Sequence, residues 1–211
     1  MPSTRVKICG LTRLEDAELA TELGAWAVGM VFYEGSPRRC ELAEAEAIGA
    51  ALRRRVEVAG VFVNAPLAEV VQTSERVGLT LVQLHGDEGP AYATEVARRT
   101  GARTIKAAPV QGLFTLRDLE RFHTDFHLLD GYRAGERGGT GQAFDWSLVS
   151  ARRTRRPLIV GGGLDAGSVA AAIEATTPFA VDVSSGVEAA PGIKDPDRMQ
   201  AFFEAAETRV A

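Results

Sequence analysis

A short run of β-branched and apolar residues, followed by a stretch of helical period, recurs eight times along these 211 residues, and no other feature restricts the fold as strongly. Strands are expected at Arg5–Cys9, Ala27–Phe32, Val56–Phe62, Leu79–Leu84, Thr104–Ala107, Phe126–Leu129, Leu158–Val160 and Phe179–Val183. Between and after them, apolar residues three and four apart predict helices at Leu14–Leu23, Ala43–Arg54, Leu67–Val77, Pro90–Arg99, Thr115–Arg121, Ser147–Arg152, Ala166–Glu174 and Pro196–Glu207. Thr12 and Asp195 stand where caps for the first and last helices are expected. A helix after each apolar strand returns the chain to the same end of a sheet, so the strands are expected to be parallel and covered by helices. Eight such units in about 200 residues predict an α/β fold, a (β/α)8 TIM barrel, with an open doubly wound sheet as the alternative. No Gly/Ser-rich linker or shift in composition divides the chain, so residues 1–211 are read as a single domain.

Charge and cysteine usage narrow the partners. A net charge of −4 offers no excess positive field for a polyphosphate backbone, which argues against nucleic acid. No uninterrupted apolar stretch approaches the ~18 residues of a membrane helix, so no membrane association is expected. The opening MPSTRVKICG lacks a secretory pattern, and the two cysteines, Cys9 and Cys40, are too sparse for a disulfide scaffold; a reducing cytoplasm is expected. The histidines His85, His123 and His127 show no metal-type spacing with cysteines or acids.

In a β/α barrel, chemistry sits just past the C-terminal ends of the strands. The first strand ends in Lys7-Ile8-Cys9-Gly10, placing a thiol at the barrel mouth, where it is either a base or a small apolar filler. The sixth ends in Leu128-Leu129-Asp130, whose carboxylate either faces the cavity as an acid or caps the following loop. The seventh leads into Gly161-Gly162-Gly163 and the eighth into Asp182-Val183-Ser184-Ser185-Gly186. These are the two loops that most often cradle phosphate, so Gly162, Gly163, Ser184 and Ser185 are candidate phosphate contacts. Gln83-Leu84-His85-Gly86 ends the fourth strand, with His85 facing a ligand or hydrogen-bonded at the rim. Arg38, in Ser36-Pro37-Arg38-Arg39 after the second strand, either holds a substrate carboxylate or is a solvated loop charge. The long segment from Gly131 to Phe144, with Gly138-Gly139-Thr140-Gly141, suits a flap over the substrate.

Taken in order, KICG, the SPR loop, AGVFVN, QLHG, LLD followed by GGTGQAFDW, GGGL, DVSSGVE and a nearby Gly-Ile-Lys-Asp form a series. From about Lys7 to Asp195 the chain resembles the phosphoribosylanthranilate isomerase family of tryptophan biosynthesis. The resemblance implies an Amadori rearrangement of N-(5-phosphoribosyl)anthranilate to 1-(2-carboxyphenylamino)-1-deoxyribulose 5-phosphate without metal or organic cofactor. It implies that Cys9 is the general base and Asp130 the general acid. Arg38 then faces the anthranilate carboxylate, Asp182 lies near its amine, Gln83 and His85 bind substrate, and Gly162, Gly163, Ser184 and Ser185 hold the phosphate. A monomer or a homodimer is expected. Two departures stand out: Gly161 occupies a position where the family more often has Ser or Ala, and Gly131–Arg137 follows no familiar pattern. Two competitors are a barrel isomerase for a histidine-pathway aminoaldose, which uses paired aspartates, and a barrel that binds a phosphorylated metabolite without turnover.

Overall fold

In the computed structural model, residues 4–131 and 144–207 are described. The expected flap, apart from its two ends, lies outside them. Eight strands close into a parallel barrel in sequence order: β1 (Arg5–Cys9), β2 (Ala27–Val31), β3 (Glu57–Phe62), β4 (Leu81–Leu84), β5 (Arg103–Pro109), β6 (Phe126–Asp130), β7 (Leu158–Val160) and β8 (Ala180–Val183). The decisive pairing is β1 with β8, in a register that sets Lys7 opposite Asp182 and Ile8 opposite Val183. That seam excludes the open doubly wound sheet.

The helices are α1 (Leu14–Glu22), α2 (Leu42–Leu52), α3 (Leu67–Val77), α4 (Pro90–Thr100), α5 (Leu113–Leu119), α6 (Val169–Thr176) and α7 (Pro196–Glu207). Three expectations are corrected. The helix expected at Ser147–Arg152 is a 3₁₀ segment, Trp146–Ala151, with no fully buried residue: Asp145 caps it through Ser147, and Trp146, Leu148 and Val149 pack only partly buried against the core. α6 begins at Val169 because the Asp165 carboxylate accepts from the Gly167 and Ser168 amides and folds that stretch into a turn. Thr12 does not cap α1; its hydroxyl donates to the Gly192 carbonyl at 2.6 Å, while Glu44 accepts from the Leu14 amide. Asp195 does cap α7, accepting from the Arg198 amide.

Strand parity divides the buried side chains into two cores. Ile8, Val28, Val58, Val82, Leu129, Val160 and Val181 face outward and pack under the helices. Ala27, Ala59, Leu81, Ile105, Phe126, Leu128, Ile159 and Ala180 fill the barrel itself, floored by Trp26 and Phe179. Alternating alanine with large residues fits the narrow interior. Toward the C-terminal end this apolar filling gives way to Lys7, Cys9, Gln83, Asp130 and Asp182.

After β8 the chain makes a short 3₁₀ turn (Ser185–Val187) and an antiparallel pair that sequence periodicity did not suggest, β9 (Glu188–Ala190) with β10 (Ile193–Lys194). The pair is tied to the start of α1, since Asp16 accepts from the Lys194 amide.

Candidate active site

One cavity opens at the C-terminal end of the barrel, and its walls include Cys9, Arg38, Gln83, His85, Asp130, Gly162, Gly163, Asp182, Ser184 and Ser185. Every residue singled out from the sequence therefore meets in one place.

Cys9 ends β1 and is buried. Gly10 must follow it: φ is +73°, and a Cβ there would lie 2.7 Å from both Arg38 Cδ and Ser184 Oγ. Burial pushes the Cys9 thiol up from its ordinary pKa, and the neighbouring Lys7 ammonium opposes that shift. Lys7 points into the barrel on the same face as Cys9. It is fully buried, with Nζ 2.7 Å from Asp182 Oδ1. Burial alone would discharge it, but Asp182 and Cys9 together hold its pKa above the ordinary lysine value.

Asp130 ends β6 on the inward face after Phe126 and Leu128. Its Oδ1 accepts from the Gly131 amide at 2.9 Å. Its Oδ2 lies 3.2 Å from His85 Nε2. Gln83 Nε2 is 3.0 Å from His85 Nδ1, while the other ring nitrogen faces Asp130. His85 is thus a hydrogen-bonded orienter of Asp130, and the Gln83 carbonyl oxygen is buried with no hydrogen-bond partner among the described residues. Behind this rim, a buried Lys106–Glu88 pair at 2.8 Å braces the loops, Glu88 also accepting from the Asn64 and Gly86 amides.

Arg38 is in the cavity but not free. Its Nε and Nη2 grip the buried Glu188 carboxylate at 2.8 to 3.1 Å, leaving the Nη1 side of the fork to face a ligand. Glu188 also accepts from Lys194 Nζ at 2.8 Å and from the Gly192 amide. Burial would raise the Glu188 pKa, yet Arg38 and Lys194 outweigh it and hold the carboxyl below its usual range. Lys194 also donates to the Ser184 carbonyl at 3.2 Å, so the β9–β10 pair fixes both Arg38 and the loop after β8.

The two glycine-containing loops interlock. Gly162 (φ +84°) comes so close to the β6 terminus that a Cβ would fall 2.0 Å from the Gly131 nitrogen and 2.9 Å from Asp130 Oδ1. At Gly186 a Cβ would fall 2.0 Å from the Leu164 carbonyl oxygen. Ser184 Oγ is buried with no hydrogen-bond partner among the described residues. At Gly161, by contrast, an added Cβ meets nothing nearer than 3.4 Å, so the departure noted there has room for the commoner side chains.

Sequence reasoning missed Lys7, Glu188 and Lys194. Lys7 had a signal, since it sits two residues before Cys9 and parity puts both on one face. Glu188 and Lys194 lie in a hairpin too short to show periodicity. Among the described residues no cluster of three or more His, Cys, Asp or Glu could hold a metal ion, and no helix is long and apolar enough to cross a membrane.

A closed barrel with a thiol, a carboxylate and two anion-type loops at its C-terminal mouth defines the class of β/α-barrel enzymes that act on small phosphorylated molecules. The family model for N-(5'-phosphoribosyl)anthranilate isomerase matches residues 6–205. A relative named N-(5'-phosphoribosyl)anthranilate isomerase, from Geobacter metallireducens, is 45% identical over 96% of this chain and 98% of its own. Among solved structures, monomers generated from the dimeric enzyme of Thermotoga maritima superpose with a TM-score of 0.82 at 41% identity, covering 96% of this chain and 98% of that one. A phosphoribosyl anthranilate isomerase in complex with reduced 1-(o-carboxyphenylamino)-1-deoxyribulose 5-phosphate superposes at 0.84, with the same identity and coverage. The chain belongs to the N-(5'-phosphoribosyl)anthranilate isomerase family.

Proposed function

We propose that this chain performs its family's reaction, the Amadori rearrangement of N-(5-phosphoribosyl)anthranilate to 1-(2-carboxyphenylamino)-1-deoxyribulose 5-phosphate in tryptophan biosynthesis, with Asp130 as acid and Cys9 as base. The observation that carries the assignment is the meeting of a strand-end thiol and a strand-end carboxylate in one cavity, beside the two glycine- and serine-containing loops. The chain is an aldose–ketose isomerase, and residues 1–211 act as one catalytic domain.

Protonation comes first. Expelling the ring oxygen as a bare alkoxide is costly, so Asp130 delivers a proton to it as the furanose opens to an iminium. His85 and the Gly131 amide hold the carboxyl in place for this step. Cys9, as thiolate, then takes the C2 proton, and the electron pair left behind reduces the iminium to an enolamine, which tautomerises to the aminoketose. An acid and a base contribute ~10²–10⁴-fold each in typical enzymes. The backbone amides and hydroxyls of Gly162, Gly163, Ser184 and Ser185 grip the phosphate, a group remote from the bonds that change, and that grip fixes C1 and C2 between the two catalytic groups. The outer side of the Arg38 guanidinium receives the anthranilate carboxylate, and Asp182 faces the amine. The thiol at Cys9 favours this substrate over the histidine-pathway aminoaldose, whose isomerases use two aspartates.

The ligand is one small phosphorylated molecule, not nucleic acid, and the protein works as a monomer or homodimer in the cytoplasm. Purified protein mixed with phosphoribosylanthranilate, with chelator present, is expected to consume it. Cys9→Ala and Asp130→Ala are each expected to lose most turnover while still binding the reduced product analogue. Full turnover in either variant would overturn the assignment of roles.

A further inference from the structure

The reading of Cys9 as base leaves a difficulty, because a buried thiol is held protonated and a base must be a thiolate. The barrel holds one group suited to resolving it. Lys7 is on the same strand face, fully buried, and carries an ammonium that the proposed proton transfers do not use. Gly29, on β2, faces both. A Cβ there would stand 3.1 Å from Cys9 Sγ and 3.3 Å from Lys7 Nζ, so thiol and ammonium converge on the small space that this glycine leaves. Asp182 anchors Lys7 from across the seam at 2.7 Å.

We infer that Lys7 is the positioning residue of the base: its ammonium, fixed by Asp182 across the β1–β8 seam, favours the thiolate form of Cys9 that takes the C2 proton. The inference rests on the base role given to Cys9 above. The charges around the thiol come from several elements. Lys7 lies on its own strand and Asp182 on β8. Lys194 lies on β10 behind Ser184, and Arg38, His85 and Asp130 line the same cavity. Burial disfavours the thiolate most; Lys7 is the largest influence in its favour, Asp182 works against it and Lys194 weakly for it. A cation kept dry and fixed acts at short range without screening by water, and it need not be reorganised as the negative charge forms. Lysine suits the place because it offers a compact charge on a stem that follows the interior wall.

The test titrates Cys9 directly, through the pH dependence of its alkylation by iodoacetamide in a Cys40→Ala background. Lys7→Met is expected to raise the midpoint by about one pH unit or more, a tenfold loss of thiolate at a given pH below it. The acid limb of kcat/KM is expected to move by the same amount. Lys7→Met leaves Asp182 buried without its cation and can fail to fold. Lys7→Met/Asp182→Asn removes both charges and is expected to shift the midpoint upward by less, because the opposing carboxylate is gone too. An unchanged or lowered midpoint, in the single variant or in the double if only that folds, overturns the inference. Alkylation needs no substrate, so a wild-type chain that turns over nothing, yet shows the shift, sinks the functional reading and leaves the coupling of Lys7 to Cys9 intact.

Discussion

At the N-terminal end of the barrel, the rings of Trp26, Phe126 and Phe179 meet with centroids 5.1 to 5.4 Å apart. Farther along the strands, toward the C-terminal mouth, the interior holds Lys7, Gln83, Asp130 and Asp182. The two ends are held by different means. The floor is held by transfer of apolar surface and by ring geometry, which forgive a modest change of shape. The mouth is held by pairing between polar groups: Lys7 with Asp182, Asp130 with His85 and Arg38 with Glu188. Loss of one partner there leaves the other mostly buried without its charge partner. A single strand shows the contrast, since β6 runs inward from Phe126 through Leu128 to Asp130.

If that division holds, variants at the mouth change rate and variants at the floor change stability. The largest expected effect is on rate: Cys9→Ala and Asp130→Asn should lower kcat by ~10²–10⁴-fold with the thermal midpoint close to wild type. Steady-state assays beside calorimetry check both, and a large fall in midpoint without loss of rate would break the comparison. Next comes Leu128→Ala, at a site with no exposure, expected to cost about 2–5 kcal/mol in denaturant unfolding with kcat nearly kept.

His127 sharpens the comparison on the outer face of the same strand. It is buried, its Nε2 bonds the Phe122 carbonyl at 3.1 Å, and its Nδ1 has no partner among the described residues. Burial pushes its pKa down to about 4. The unfolded chain takes up a proton at this residue near pH 6.5, the folded chain only near pH 4, so stability falls as pH drops through that window. The loss is on the order of 3 kcal/mol, complete below the folded pKa. His127→Gln should flatten the profile there, as read by urea unfolding at stepped pH, with activity near neutrality unchanged. The smallest effect is expected at Gly161→Ala, where the added Cβ makes only ordinary contacts with Asp182, from 3.4 Å; kcat/KM should stay within about twofold. A large loss there would place Gly161 among the groups that hold the phosphate.

The repeating period made the barrel readable, because every strand must be apolar on at least one face and every helix must cover it. The positions of Cys9 and Asp130 were readable for the same reason, as strand ends. Partnerships were not. His85 meets Asp130 across two intervening strand pairings, and Lys7 meets Asp182 across 175 residues, so each contact depends on register and closure that no local pattern encodes. The 3₁₀ segment at Trp146–Ala151 misled because its apolar residues, Trp146, Leu148 and Val149, do meet the core but only in part, over a stretch too short for an α-helix.

The β1–β8 seam has a consequence for synthesis. Cys9 leaves the ribosome well before Asp182, Glu188 and Lys194, so the partners of Lys7 and of Arg38 are missing while the intervening strands are made. A chain stopped short of β8 has no Asp182 to hold Lys7, and one stopped short of β10 has no Lys194. The seam therefore acts as a closure check, because β1 and β8 must meet before Lys7 has Asp182 beside it. It also makes closure a contact of very high sequence separation, the kind that slows folding most.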